Sequence, residues 1–237
     1  KANTNNAPIL MKPSAKKIIH SITAFTLLDY PDRTSCILWF AGCNMKCSYC
    51  YNPEIVFGKG SYSIPEIISF LKKRKGLLDA VVFSGGECLL HKESIVLMQL
   101  IKEMGFLIKV DTNGSKPDRL SEAIDQKLID YVALDFKSTK EKFKFITESN
   151  LYEKFLMSLA ILNQSKIPFE IRTTVHSELL GKNDLDEMIS VLQTNNYAGN
   201  YFIQPFRNGV ETIKNMNASK HKAFTDLSTA DIWIQMR

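Results

Sequence analysis

The chain has 237 residues, 45% of them hydrophobic, and 30 Lys and Arg against 25 Asp and Glu, for a formal charge of +5. That much apolar sequence excludes global disorder and supports one sizeable core or two small ones. A charge excess this small is far from a nucleic-acid-binding composition, and the longest apolar run, ILWFA at 37–41, is too short to span a membrane.

The first seventeen residues, KANTNNAPILMKPSAKK, are polar and lack the apolar stretch of a signal peptide. A cytoplasmic protein in a reducing compartment is therefore expected. Residues 21–35, SITAFTLLDYPDRTS, read as an extra strand or hairpin. A regular rhythm then begins. Strands are expected at 35–40, 80–84, 107–111, 131–136, 169–175 and 200–206, each short and nearly continuously apolar, as strands buried on both faces of a parallel sheet read. Helical patterns fall between them. The first, 63–75, opens with Ser63 and Glu66 in a capping-box arrangement. Its basic end, within LKKRKG at 71–76, reads as a solvated helix terminus. The second, 92–105, ends on Gly105 as a C-cap. Others are expected at 116–128, 150–165 and 182–195.

This alternation points to the α/β class, as a partial (β/α)6 barrel of parallel strands. A full eight-fold barrel needs about 250 residues. A flat doubly wound sheet is the alternative. The expected organisation is an N-terminal extension at 1–20, a barrel domain at 21–209 and a polar C-terminal tail at 210–237, with a short helix at 218–227.

Parallel α/β folds collect their chemistry at the carboxyl ends of the strands. Six groups of unusual residues fall there: the cysteine loop at 41–53, SGGEC at 84–88, DTNG at 111–114, DFK at 135–137, RTT at 172–174 and QPFRNG at 204–209. Taken singly, each could be a turn or a helix cap.

Three of five cysteines, Cys43, Cys47 and Cys50, lie in AGCNMKCSYCYNP at 41–53 with spacing C-x3-C-x2-C. An odd, crowded set argues against a disulfide framework. Structural zinc needs four ligands, and Cys36 or Cys88 lies in no second C-x2-C knuckle to supply the fourth. A redox pair would use CSYC and leave Cys43 unexplained. An iron–sulfur cubane held by three thiolates, with one iron open, is the third reading.

The triplet, with Tyr49 directly before the third cysteine, resembles the motif of the radical S-adenosylmethionine (SAM) superfamily. GGE at 85–87 resembles that superfamily's Gly-Gly-Glu motif. TLLDYPDRTSCILWFAGCNMKCSYCYNPE at 26–54 is similar to the opening of glycyl-radical-enzyme activases, and most like the activating protein of anaerobic ribonucleoside-triphosphate reductase. DTNG and DFK have counterparts there too, so the likeness covers roughly 22–209.

The resemblance implies that Cys43, Cys47 and Cys50 hold a 4Fe–4S cluster whose open iron chelates SAM. Tyr49 would lie against the adenine, or be a buried core tyrosine. Gly85 and Gly86 would let the backbone approach the cofactor, and Glu87 would accept from its ammonium. Thr112 and Asn113 would also bind cofactor. Lys137 would pair with the cofactor carboxylate. Arg172 must find an anion, either that carboxylate or a structural one. Asp111, Thr112 and Asp135 match positions that cradle a monovalent cation in activases, although caps and turns would look the same. The implied reaction is one-electron cleavage of SAM and removal of a hydrogen atom from a glycine of a partner glycyl radical enzyme, with flavodoxin or ferredoxin as electron donor. A SAM enzyme acting on a small molecule, similar to 7-carboxy-7-deazaguanine synthase, is the alternative. Two departures stand out. Cys88 replaces the proline that many relatives carry after Gly-Gly-Glu, and PFR at 205–207 replaces the Pro-Tyr-His stretch of the pyruvate formate-lyase activase.

Overall fold

The computed structural model describes residues 16–220 and 229–237. Strand β1 (Lys17–Thr26) runs antiparallel to β2 (Ser35–Phe40) and to the short β3 (Tyr62–Ser63). From β2 onward the sheet is parallel, through β4 (Ala80–Gly85), β5 (Leu107–Thr112), β6 (Tyr131–Asp135), β7 (Phe169–Val175), β8 (Gly199–Pro205) and β9 (Ile232–Met236). Strand order is β3-β1-β2-β4-β5-β6-β7-β8-β9.

The helices are α1 (Pro53–Val56), α2 (Ile64–Lys72), α3 (Glu93–Glu103), α4 (Pro117–Asp125), α5 (Lys140–Thr147), α6 (Tyr152–Gln164) and α7 (Lys182–Thr194). At the start of α2, the Ser63 amide donates to Glu66 Oε2 at 2.8 Å. Gly105 follows α3 with φ of +90°, the left-handed conformation that a C-terminal glycine supplies without strain.

All six expected parallel strands and the partial (β/α)6 arrangement are present. The domain limits differ from expectation at both ends. Strand β1 begins at Lys17, inside the supposed N-terminal extension. The supposed tail contributes β9, a seventh parallel strand, because Ile232 buries its side chain while the backbone completes the β8 ladder. Of the expected helix at 218–227, residues 221–228 lie outside the described part and 218–220 are not helical. Helix α5 is an addition; its Phe143 and Ile146 are buried.

Successive side chains on a strand face opposite sides. On one side Leu38, Phe40, Val81, Phe83, Ile108, Val110, Val132 and Leu134 form the main core with the helices. The other side is apolar near the strand starts, where Tyr30, Ile37, Ala80 and Val82 cluster. Towards the strand ends it turns polar, and that end holds the site.

Candidate active site

One cavity of about 190 Å³ opens at the carboxyl ends of the strands, and Cys43, Cys47 and Cys50 all line it. The loop carrying them is fixed from four directions. Gly42 N donates to Ile55 O of α1 at 2.8 Å, and Glu87 N donates to Gly42 O at 2.9 Å. Lys46 N and Ser48 N donate to Thr147 O and Ile146 O at the end of α5, at 2.8 and 3.0 Å. Ile213 N and Lys214 N, beyond β8, donate to Cys50 O and Ser48 O at 3.2 and 3.1 Å. The last pair comes from the supposed tail, which straps the cysteine loop. Arg207 N reaches the Tyr51 hydroxyl at 2.7 Å, and Phe206 stacks on the Tyr51 ring.

The remaining cysteines lie apart. Cys36 and Cys88 are fully buried and line no part of the cavity. Cys88 donates instead to the Asp111 carbonyl at 3.5 Å. Burial pushes the Cys43 thiol up to about 12 and the Cys47 thiol to about 11, and raises Cys50. Among the described residues, no three His, Cys, Asp or Glu side chains converge tightly enough for a single metal ion. Three thiols around one cavity suit an iron–sulfur cluster, whose usual ligands are Cys thiolates. Tyr49 also lines the cavity, and its buried hydroxyl has no hydrogen-bond partner among the described residues. An orphaned buried polar atom is uncommon in a finished interior and fits a place for a bound ligand.

The two glycines sit against the cysteine loop. A Cβ on Gly86 would run into the Gly42 carbonyl, and one on Gly85, at φ of +115°, into the Phe40 backbone. Their smallness lets the cysteine loop close down on the end of β4. Both still line the cavity.

Glu87 stands behind the cavity wall. It is 1% exposed and does not line the cavity. Oε1 accepts from Leu89 N at 3.1 Å and from Thr112 Oγ1 at 2.9 Å; Oε2 accepts from Asn113 N at 2.8 Å. The carboxylate therefore ties the Gly-Gly-Glu turn to the DTNG turn. Burial raises its pKa to about 7, against the pull of these bonds. Asn113 Nδ2 donates to Asn44 Oδ1 at 3.2 Å and points at Cys43 Sγ at 3.7 Å, while Asn44 Nδ2 donates to Ser115 Oγ at 2.8 Å. Sequence reasoning missed Asn44 and Ser115; side-chain amides in a cysteine loop carry no distinguishing pattern.

Asp111, Asp135 and Arg172 line the cavity from β5, β6 and β7, with Lys137 just beyond β6. Arg172 Nε donates to Asp135 Oδ1 at 2.9 Å, and Nη1 lies 3.5 Å from Asp111 Oδ2. Arg172 thus finds structural carboxylates as its anions. Lys137 Nζ donates to Asp135 Oδ2 at 3.0 Å. Lys109, on β5 and 3% exposed, pairs with Asp111 Oδ1 at 2.8 Å. Burial alone would raise both aspartates, but Arg172 above all, with Lys109 or Lys137, holds them below the ordinary range. Burial alone would lower Lys137, but Asp135 raises it well above its usual value. Every expected site residue except Glu87 thus lines the cavity, while Glu87, Lys109, Asn44 and Ser115 stand behind its wall.

Residues 37–192 match the family model of the Radical SAM superfamily. The chain is 32% identical to a Methanocaldococcus jannaschii protein provisionally named as a glycyl-radical enzyme activating enzyme, over 75% of this chain and 76% of that one. It is 34% identical to the pyruvate formate-lyase-activating enzyme of Clostridium pasteurianum, over 54% of this chain and 56% of that one. Streptococcus suis SuiB, solved bound to S-adenosylmethionine, shares the fold with a TM-score of 0.57 at 14% identity; the match covers 74% of this chain and 41% of SuiB. Among the described residues, no helix is long and apolar enough to cross a membrane.

Proposed function

The chain belongs to the radical SAM superfamily, whose members use a 4Fe–4S cluster and SAM, and on that premise we propose that it is a cytoplasmic activase that installs a glycyl radical on a partner enzyme. The observation that carries the reading is three thiols around one cavity with no fourth cysteine beside them, in a chain 32% identical to a named activase over three quarters of its length.

Cys43, Cys47 and Cys50 would hold the cluster as thiolates, leaving one iron for SAM. Bound there, the cluster and SAM would supply the one-electron chemistry by which a hydrogen atom is taken from a glycine Cα of the partner. The chain's own residues orient and shield. Lys137 and Arg172 put positive charge at the cavity wall, where it would favour the cofactor's carboxylate. Tyr49 offers a ring face and a free hydroxyl. Gly85 and Gly86 hold the cysteine loop against the sheet. Asn113 steadies Cys43. The strap at 206–214 keeps the loop closed on its outer side.

The partner in this reading is an anaerobic ribonucleoside-triphosphate reductase or a related glycyl radical enzyme, and the electron donor a flavodoxin or ferredoxin. The likeness at 26–54 to that reductase's activating protein supports the choice. The test is anaerobic: reconstituted chain, dithionite, SAM and the reductase, followed by electron paramagnetic resonance. A glycyl doublet on the reductase is expected, and none with Cys43→Ala. 5′-Deoxyadenosine formed without a doublet on any glycyl radical enzyme supplied would favour the small-molecule alternative.

A further inference from the structure

The Asp111 and Asp135 carboxylates match activase positions in sequence but are paired within the protein. Acidic side chains in these positions, together with Thr112, suit a hard monovalent cation. Here the three do not form such a cradle. The Thr112 hydroxyl is turned to Glu87, 2.9 and 3.0 Å from its two oxygens. All four aspartate oxygens face protein cations: Asp111 Oδ1 lies 2.8 Å from Lys109 Nζ as an ion pair without hydrogen-bond alignment, Asp111 Oδ2 and Asp135 Oδ1 meet Arg172, and Asp135 Oδ2 meets Lys137. Ser84 Oγ adds a hydrogen bond to Asp111 Oδ2 at 3.1 Å.

We propose that the chain supplies its own counter-cations here: Lys109 and Arg172 provide the charge an inorganic monovalent cation would bring, so SAM binds without Na⁺ or K⁺. Three observations carry this. Lys109 is buried in a strand and its carboxylate partner is two residues on, on the same face of β5. A buried ammonium is costly unless paired, so the amine is committed to Asp111. Arg172 bridges β5 and β6 through two edges of one planar guanidinium, a role a point charge fills only with added ligands. Finally, three cations against two carboxylates leave one net positive charge, at Lys137 and Arg172 on the cavity wall. The set is thereby already balanced to receive one carboxylate. Lys109 is a positioning residue, acting through Asp111 and Arg172.

The inference rests on SAM binding and not on the identity of the partner protein. Two measurements test it, each in choline chloride, NaCl and KCl at equal ionic strength. The first is the Kd for SAM of the reconstituted chain. A change of less than threefold across the salts is expected; tightening of threefold or more by Na⁺ or K⁺ overturns the proposal. The second is the Tm of the cluster-free chain, which reads the carboxylate pair whether or not SAM binds. No difference between salts is expected, because nothing binds the native state preferentially; a Tm raised by NaCl or KCl over choline chloride overturns it. Lys109→Met keeps length and removes charge. Its Tm should be lowered in choline chloride and partly restored by Na⁺ or K⁺, whereas Lys109→Arg should behave as wild type. A folded Lys109→Met as indifferent to salt as the wild type removes Lys109 from the role. If that variant does not fold, the two wild-type measurements decide.

Discussion

Glu87 has both oxygens occupied inside the protein, and its titration follows from that. A fully buried carboxyl pays heavily to ionise, and its bonds to Leu89 N, Thr112 and Asn113 N recover only part of the cost, so its pKa stands near 7 against an ordinary 4.5. The native state therefore keeps this proton where the unfolded chain has lost it. Stability from this group is fully present below about pH 4.5, falls as pH rises and is lost above about pH 7. The shift corresponds to a ceiling on the order of 3 kcal/mol. Glu87→Gln cannot ionise, so the stability of the variant relative to wild type should improve between pH 5 and pH 8. Urea midpoints of both proteins at the two pH values read the difference directly. A gap that does not move with pH would mean that Glu87 titrates as an ordinary carboxylate. Arg172 shows the opposite balance: its guanidinium meets the Asp111 and Asp135 carboxylates within the same wall, and ionisation is favoured.

The cysteine loop holds its shape through neighbouring elements more than through itself. Its closest neighbour is the end of β4, where the Gly86 Cα faces the Gly42 carbonyl without room for a methyl group. Gly86→Ala must push Gly42 outward and Cys43 with it, since the Glu87 N to Gly42 O bond links the same two segments. Overpacking of this kind costs about 1–3 kcal/mol. The expected outcome is a folded chain of lower Tm that retains less than half the wild-type iron after reconstitution; wild-type iron content would show that the loop shifts without losing the cluster. The glycines were legible in the sequence as a close approach, but which backbone came close was not, because Gly42 is 44 residues from Gly86. Strands β2 and β4–β8 were legible for a simple reason: each is a compact apolar run. The polar rim was legible too, as Ser84, Asp111, Asp135 and Arg172 interrupt those runs near their ends. Helix α5 was not, since two turns with Phe145 exposed and Phe143 buried give too little periodicity. Lys109 was readable only as a lysine inside a strand; its partner two residues on becomes visible once the strand is known to have a polar inner face.

Over the whole molecule, the inner side of the sheet grades from apolar at the strand starts to charged at the ends, so site and stability occupy different levels of one sheet. That separation gives β9 a testable role. The strand adds five register pairs to β8, buries Ile232 and sets Ile234 against the core. Arg237 beside it donates to Leu28 O at 3.1 Å, from the turn after β1, and approaches Glu170 Oε1 at 3.9 Å. The last strand thereby contacts the loop that follows the first, on the side away from the cysteines. Removing residues 229–237 deletes one buried isoleucine, worth about 1.5–3 kcal/mol, and several ladder hydrogen bonds at about 1 kcal/mol net each. It also leaves β8 as an unprotected edge. The urea midpoint of the truncated chain should fall by the equivalent of roughly 3–5 kcal/mol, with more aggregation on warming. Iron bound per folded chain should hold, because the thiols and their charged wall lie on elements from β2 to β7. An unchanged midpoint would show that β9 is only appended to the sheet; lost iron at an unchanged midpoint would show that its pull reaches the cysteine loop through the strap at 206–214.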